Sequence, residues 1–258
     1  MTSQKYQLSS VTNAMKILNI FKVSERKELS FTEITTITRI PKSTAHRLIT
    51  SLKSEGFLSQ NPRTGKYRLG LTLLTLGGIV SVHKQTYQEA FPFLEQLVRE
   101  INETCHICLL EERDVVFFQR VHRKDPDHLI TEEGRKGPVH CTSEGLILLA
   151  YQDKAHQERV LSGPLKRYTE CTTTDPPQLR SRLTRIAKEG YAWCEGEYFK
   201  DYTSIAVPIR DYSSLVVSSL SLVTQTTRLQ GKDTSFYMER LKETADDISE
   251  ALGYFGDI

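Results

Sequence analysis

Residues 29–69 read LSFTEITTITRIPKSTAHRLITSLKSEGFLSQNPRTGKYRL, and this stretch decides the N-terminal fold. Ser30 and Glu33 stand at the spacing of a capping box, in which a hydroxyl and a carboxylate each satisfy backbone N–H groups at a helix start. The helix that follows is short and carries Ile34 and Ile37 inward, and Ile40-Pro41 ends it because the residue before proline is pushed out of the helical region. A second helix then runs from Pro41 to about Glu55. Its apolar positions Ala45, Leu48, Ile49 and Leu52 recur at i, i+3, i+4 and i+7, so one face is buried. The opposite face carries Lys42, Ser43, Thr44, His46, Arg47, Thr50, Ser51 and Lys53 and no carboxylate. Hydroxyls, positive charges and an imidazole are the groups that meet phosphates and major-groove base edges.

Gly56 stands where a left-handed helix cap is wanted. Beyond it, two short strands enclose Asn61-Pro62-Arg63-Thr64-Gly65-Lys66, a turn composition that predicts a hairpin with Arg63 and Lys66 at its tip. Helix, turn, helix and basic hairpin together predict a winged reader of duplex DNA. Lys42, Ser43, Thr44, His46, Arg47 and Thr50 would lie nearest the major groove, while Arg63 and Lys66 reach flanking phosphates or the minor groove.

Working outward, Val11, Ala14, Met15, Leu18 and Phe21 form an amphipathic stripe behind Ser9 and Ser10, two candidate N-caps. Downstream, residues 71–87 (LTLLTLGGIVSVHKQTY) are mostly apolar or small, with Gly77-Gly78 in the middle. They fit a helical linker that packs on a partner and bends or closes at the glycines, and equally an ordinary core helix. Phe91, Leu94, Leu97, Val98 and Ile101 give another helical stripe. Strand-like runs follow at 107–110 and 115–121, helical segments at 142–161 and 178–190, strands at 203–210 and 215–223, and a last helix at about 233–252. Helices around a sheet built largely from hairpins predict an α+β domain.

Composition agrees with two parts. The chain of 258 residues carries a net charge of only +2, yet residues 1–80 hold twelve Lys and Arg against four Asp and Glu, a net of +8. The remainder has a net of −6. A basic head on an acidic body suits a polyanion-binding module joined to a regulatory or assembly domain. No apolar run approaches the roughly 20 residues of a membrane span, and the start MTSQKYQLSS lacks the apolar middle of a secretory signal, so a cytoplasmic protein is expected. Five cysteines at irregular spacing are no disulfide framework.

The runs SVTNAMKILNIF and LSFTEITTITRIPKSTAHRLITSLKSEGFL, with a wing ending in GKYRLG, closely resemble the winged helix-turn-helix of the IclR family of bacterial transcriptional regulators. The resemblance continues through Gly134-Arg135, Pro138, His140, Thr142, Gly145, Thr173-Thr174-Asp175, Glu189-Gly190-Tyr191-Ala192, 205–209 and Leu220-Ser221. It implies a winged head over 8–70, a helical linker over 71–86 and a GAF-like effector-binding domain over 87–258. It further implies a homodimer or dimer of dimers on a palindromic operator, and a small-molecule effector. No cofactor and no metal are expected.

The small and polar residues that interrupt apolar elements are the candidates for the effector site: Cys141, Ser143, Glu144 and Gly145, then Cys194, Ser204, and Ser219 and Ser221 on one strand face. The family's pocket is lined near these same places, and the resemblance adds Leu129 and Asp201. The sequence departs from the family at several of them: Leu146-Ile147 where Lys-Ala is common, Glu144 where a small residue is usual, Asp201 for a glycine, and Val223 for a hydroxyl. The N–H groups of a helix starting after His140 suit a carboxylate ligand. An ionised Glu144 would repel one, which leaves neutral, cationic or hydrazide-like ligands open.

Cys105-His106-Ile107-Cys108 has a metal-like spacing, but a strand sends Cys105 and Cys108 to opposite faces, so buried thiols with one strand-edge histidine are expected. No nucleophile elbow, Walker loop, dinucleotide fingerprint or HExxH helix is present, and an enzyme is not expected. The competing reading keeps DNA binding but gives the C-terminal domain only an assembly role, or a thiol- or metal-sensing one.

Overall fold

The computed structural model describes residues 8–23, 27–80, 90–124 and 133–256. They fall into two compact units, Met1–Gln85 and Thr86–Ile258. In the first, helices α1 (Ser9–Val23), α2 (Phe31–Thr38) and α3 (Lys42–Ser54) close around Ile17, Leu29, Ile34, Ile40, Ala45, Ile49, Leu52 and Leu58. Ser30 caps α2 through the expected box: its Oγ accepts from the Glu33 N–H, and Glu33 Oε2 accepts from the Ser30 N–H at 2.8 Å. The helix ends two residues before the proline dipeptide, because Arg39 takes a left-handed conformation at φ 56° and donates its N–H to Thr35. The turn to α3 is therefore only Arg39-Ile40-Pro41.

Strands β1 (Leu58–Gln60) and β2 (Tyr67–Leu69) pair antiparallel, and Leu29 bridges to Tyr67 beside them. Asn61 shapes the wing turn by accepting the Arg63 N–H on its side chain at 2.9 Å, an Asx turn. Gly70 lies so close under the α3 terminus that a Cβ on it would sit 2.0 Å from the Gly56 carbonyl oxygen. Helix α4 (Thr72–Val80) runs unbroken through Gly77-Gly78, and the rest of the expected linker lies outside the described residues.

Two expectations for this unit need correction. Ile37 is 54% exposed because α2 has only two turns and the core place is taken by Ile34 and Ile40. On α1, Ile17 is the buried anchor while Val11 and Met15 are exposed, and Ser9 and Ser10 lie inside the helix. At about 100° per residue, Val11 and Met15 point roughly 120° and 160° away from Ile17, toward the far side of the helix.

The second unit is a six-stranded antiparallel sheet in the order β5-β4-β3-β8-β7-β6. Its strands are β3 (Thr104–Glu111), β4 (Asp114–Val121), β5 (Lys136–Pro138), β6 (Ala192–Glu195), β7 (Tyr202–Arg210) and β8 (Val216–Gln225). Hairpins β3–β4 and β7–β8 meet where β3 pairs with β8, and the shortest strands, β5 and β6, form the edges. Helices α5 (Phe91–Ile101) and α10 (Thr234–Ala251) cover one face. Helices α6 (Ser143–Ala150) and α8 (Pro176–Glu189) cover the other, with α7 (Lys154–Leu161) beside them. A four-residue helix α9 (Thr226–Leu229) follows β8.

The expected continuous helix over 142–161 is two helices. Asp153 caps α7 by accepting the His156 N–H at 2.7 Å, and the Gln157 amide donates 3.1 Å bonds to the carbonyls of Leu149, Ala150 and Gln152, closing the end of α6. The edge strands β5 and β6 and helix α9 carry no sequence signal, because three or four residues give no readable alternation. Cys105 and Cys108 do face opposite cores. His106 is fully buried in a central strand rather than at an edge.

Gly145 has a packing role: a Cβ there would meet Val139 backbone atoms at 2.4–2.7 Å. Gly145→Ala is therefore expected to lower the urea midpoint by an amount equivalent to about 1–3 kcal/mol, the usual cost of overpacking. Far-UV circular dichroism checks this, and an unchanged midpoint would show that α6 seats without the close approach.

Candidate functional site

Two surfaces carry chemistry, one in each unit. In the first, Lys42, Ser43, His46, Arg47 and Thr50 are exposed on α3 and Thr44 is half-buried. Ala45, Ile49 and Leu52 anchor the opposite side in the core, so the polar side faces outward. Thr50 Oγ1 donates to the His46 carbonyl at 2.8 Å, leaving its lone pairs available, and the His46 ring meets Phe31 edge-on at 6.2 Å. Lys53 donates to Gln60 and Arg68 to Ser59, tying the end of α3 and the second wing strand to β1. Arg63 is exposed at the wing turn and Lys66 is half-buried on its descending side. Thirteen residues of α3 span about 20 Å, enough to lie along a major groove about 12 Å wide.

In the second unit, a small recess opens between the sheet, the start of α6 and the β6–β7 connection. Cys141, Glu144, Cys194 and Ser204 line it, and so do Phe117, Thr142, Val223 and the segment Glu197-Tyr198-Phe199 with Tyr202 and Thr203. Ser221 and Ser143 stand behind the wall: Ser221 donates to Glu144 Oε1 at 2.9 Å and Ser143 to Oε2 at 3.3 Å. Ser219 is buried on β8 without lining the recess, and Asp201 is exposed and gives its carbonyl to the Thr226 N–H. Leu129 lies outside the described residues.

The helix start is already occupied by the protein's own groups. Thr142 caps α6 by accepting the Gly145 N–H, the Ser143 N–H reaches Ser204 Oγ at 3.4 Å, and the Glu144 carboxylate takes its own residue's N–H. Glu144 is almost fully buried, and loss of hydration pushes its carboxyl above the ordinary 4.5, against the lowering effect of its hydrogen bonds.

The aromatic connection is held by polar staples. Thr169 and Thr172 donate to the carbonyls of Gly196 and Glu197, each at 2.6 Å. Arg182 on α8 grips both Glu197 oxygens at 2.9 and 2.7 Å and also donates to the Trp193 carbonyl and the Cys194 sulfur. Glu197, Tyr198, Phe199 and Tyr202 escaped the sequence reading, although a dense aromatic run between two strands is a signal in itself. Tyr198 meets Tyr168 edge-on at 4.9 Å, and Lys166 lies over the Tyr168 ring, outside the lining. Burial raises the pKa of Cys105, Cys108, Cys141 and Cys194, so these four are thiols rather than thiolates. No three His, Cys, Asp or Glu side chains gather as metal ligands among the described residues. None of the helices described is long and apolar enough to cross a membrane.

Residues 10–62 match the model of the IclR helix-turn-helix domain, and residues 80–250 match that of the bacterial transcriptional regulator IclR C-terminal domain. The chain belongs to the IclR family. It is therefore a DNA-binding transcriptional regulator rather than an enzyme, and the α+β fold is that of the family. It is 32% identical to the HTH-type transcriptional regulator XynR of Escherichia coli over 96% of this chain and 98% of that one. It is 28% identical to KdgR of the same organism over 96% and 95%. Among solved structures it is similar to an IclR homologue from Microbacterium hydrocarbonoxydans complexed with 4-hydroxybenzoate (31% identity, TM-score 0.82, covering 95% and 99% of the two chains). Thermotoga maritima IclR is similar at 25% identity and TM-score 0.75 over 96% and 100%.

Glu144 supplies a sign for pH dependence in this IclR protein. Between the ordinary carboxyl value and its raised native value, the unfolded chain has lost the proton that the native state keeps, so stability falls as pH rises. Glu144→Gln mimics the protonated form. It is expected to gain stability relative to wild type on going from pH 5 to pH 8, measured by urea titration at both; a constant difference would place the Glu144 proton outside this balance.

Proposed function

We propose that the head, residues 8–70, reads a palindromic operator, that residues 71–86 link it to the rest, and that residues 87–258 bind a small-molecule effector. Effector binding biases one arrangement of paired heads, by no more than its difference in affinity for the two arrangements. The observation that carries the reading is the outward side of α3, which presents Lys42, Ser43, Thr44, His46, Arg47 and Thr50 without a single carboxylate. Arg63 and Lys66 extend the positive surface to the wing. The 4-hydroxybenzoate complex of a relative supports a metabolite as effector, and the recess lined by Cys141, Glu144, Cys194 and Ser204 is where it would sit. The buried, protonated thiols favour this over thiol sensing.

A homodimer is the smallest assembly that reads a palindrome, with half-sites about one helical turn apart. Large apolar side chains exposed within the first unit support it: Leu8, Val11 and Met15 on or before α1, and Leu71, Leu74 and Leu76 on or before α4. Such a protein works in the cytoplasm, where its operator is.

Arg47→Ala is expected to weaken specific operator binding by about 1–3 kcal/mol, the worth of a bidentate base contact. A gel-shift titration checks this, and undiminished affinity would remove Arg47 from the reading face. The double change Arg63→Ala and Lys66→Ala should weaken binding to all sequences and reduce the slope of log affinity against log salt by roughly one per lost phosphate contact. An unaltered slope would mean that the wing does not touch the backbone.

A further inference from the structure

If the recess holds the effector, as proposed, its walls constrain the charge of that effector, and the constraint rests on that reading. The chemistry of the recess is one-sided. Among the described residues it is lined by two carboxylates, Glu144 and Glu197, and by no lysine or arginine. Arg182, which bonds to two of the lining residues, is committed to Glu197, the Trp193 carbonyl and the Cys194 sulfur, so its charge offsets that of Glu197. Glu144 is met by two hydroxyls and its own N–H.

A helix N-terminus at the wall of a pocket would ordinarily receive an anion on its free N–H groups. Here those donors are spent: Ser143 N–H is paired with Ser204, Glu144 N–H with its own side chain, and Gly145 N–H with Thr142. A carboxylate ligand would lose its water, find none of these donors free, and lie beside a carboxyl group. Rings form a second part of the wall. Tyr198 and Phe199 lie tilted against each other with centroids 4.2 Å apart, and Phe199 meets Tyr202 edge-on at 6.2 Å. Phe117 lines the recess as well. Rings with an acidic group among them can take up an organic cation, through the negative face of each ring and through the carboxylate that Glu144 becomes when an arriving ammonium group displaces to solvent the proton that burial retains.

We infer that this regulator's effector is a small organic cation, an amine on an aromatic or compact apolar body, with Glu144 as the residue that selects its charge. The ammonium group would sit against Glu144, with Thr142 and Ser204 as hydroxyl acceptors. The body would lie against Tyr198, Phe199 and Tyr202.

The test uses the full-length protein and three near-isosteric probes that differ in charge: 4-hydroxybenzylamine, 4-hydroxybenzyl alcohol and 4-hydroxybenzoate. Calorimetry and thermal shift should rank amine over alcohol over carboxylate, with the amine about tenfold tighter than the alcohol, the value of one modest charge contact. In Glu144→Gln the amine should fall to within about threefold of the alcohol, whereas Glu144→Asp should keep the ranking. Carboxylate binding as tight as the amine in the wild-type protein overturns the inference and leaves the effector site standing, and so does an amine preference that survives Glu144→Gln. Silence from all three probes at millimolar concentration, with operator binding intact, overturns the inference and counts against the effector site itself.

Discussion

Pairing of β3 with β8 brings residues 104–108 against residues 219–223 and turns two separate hairpins into one sheet. Both strands lie in the middle of that sheet, and helices cover both faces. Polar side chains within the paired stretches are therefore buried, whatever their neighbours in sequence. His106, Ser219 and Ser221 are each 0% exposed for this reason. The face that carries Ser221 is also the one on which α6 lies, so a hydroxyl from residue 221 meets a carboxylate from residue 144. Without the central pairing there is no floor for the recess.

The opposite wall is held differently. The β6–β7 connection contributes its aromatic rings from irregular backbone, which packing alone would leave free to shift. Two threonine hydroxyls fix its carbonyls and Arg182 fixes its carboxylate. An ion pair this sheltered gives back much of its attraction as desolvation cost, so its contribution is to placement more than to net stability. The outcome is a pocket with a rigid polar floor and an aromatic side whose position depends on hydrogen bonds.

Charge is divided along the chain in the way the two tasks require. The head has a net of +8 over residues 1–80 and faces a polyanion with an acid-free helix. The body has a net of −6 and a pocket with carboxylates at its wall. Long-range attraction to DNA thus acts on the head, and the net negative body does not compete with it for the polyanion.

Much of this architecture is written in local signals. The capping box at Ser30, the i, i+3, i+4, i+7 pattern of α3 and the Asn-Pro-Gly wing turn predict the head because each is a short-range property of backbone and neighbour. The long strands and the helices α5, α8 and α10 are legible for the same reason. Local pattern fails where a distant partner decides. Val11 and Ile17 differ in burial because α2 and α3 choose which side of α1 to cover. Edge strands β5 and β6 exist because longer neighbours pair with them, and α6 stops where Gln157 reaches back from α7. By itself, then, the sequence determined a DNA-reading head and an α+β body, since periodicity, caps and turns act within a few residues. Only the tertiary structure decided which polar residues share one recess, because Glu144, Glu197, Ser204 and Ser221 are far apart along the chain and meet only through the antiparallel closure of the sheet.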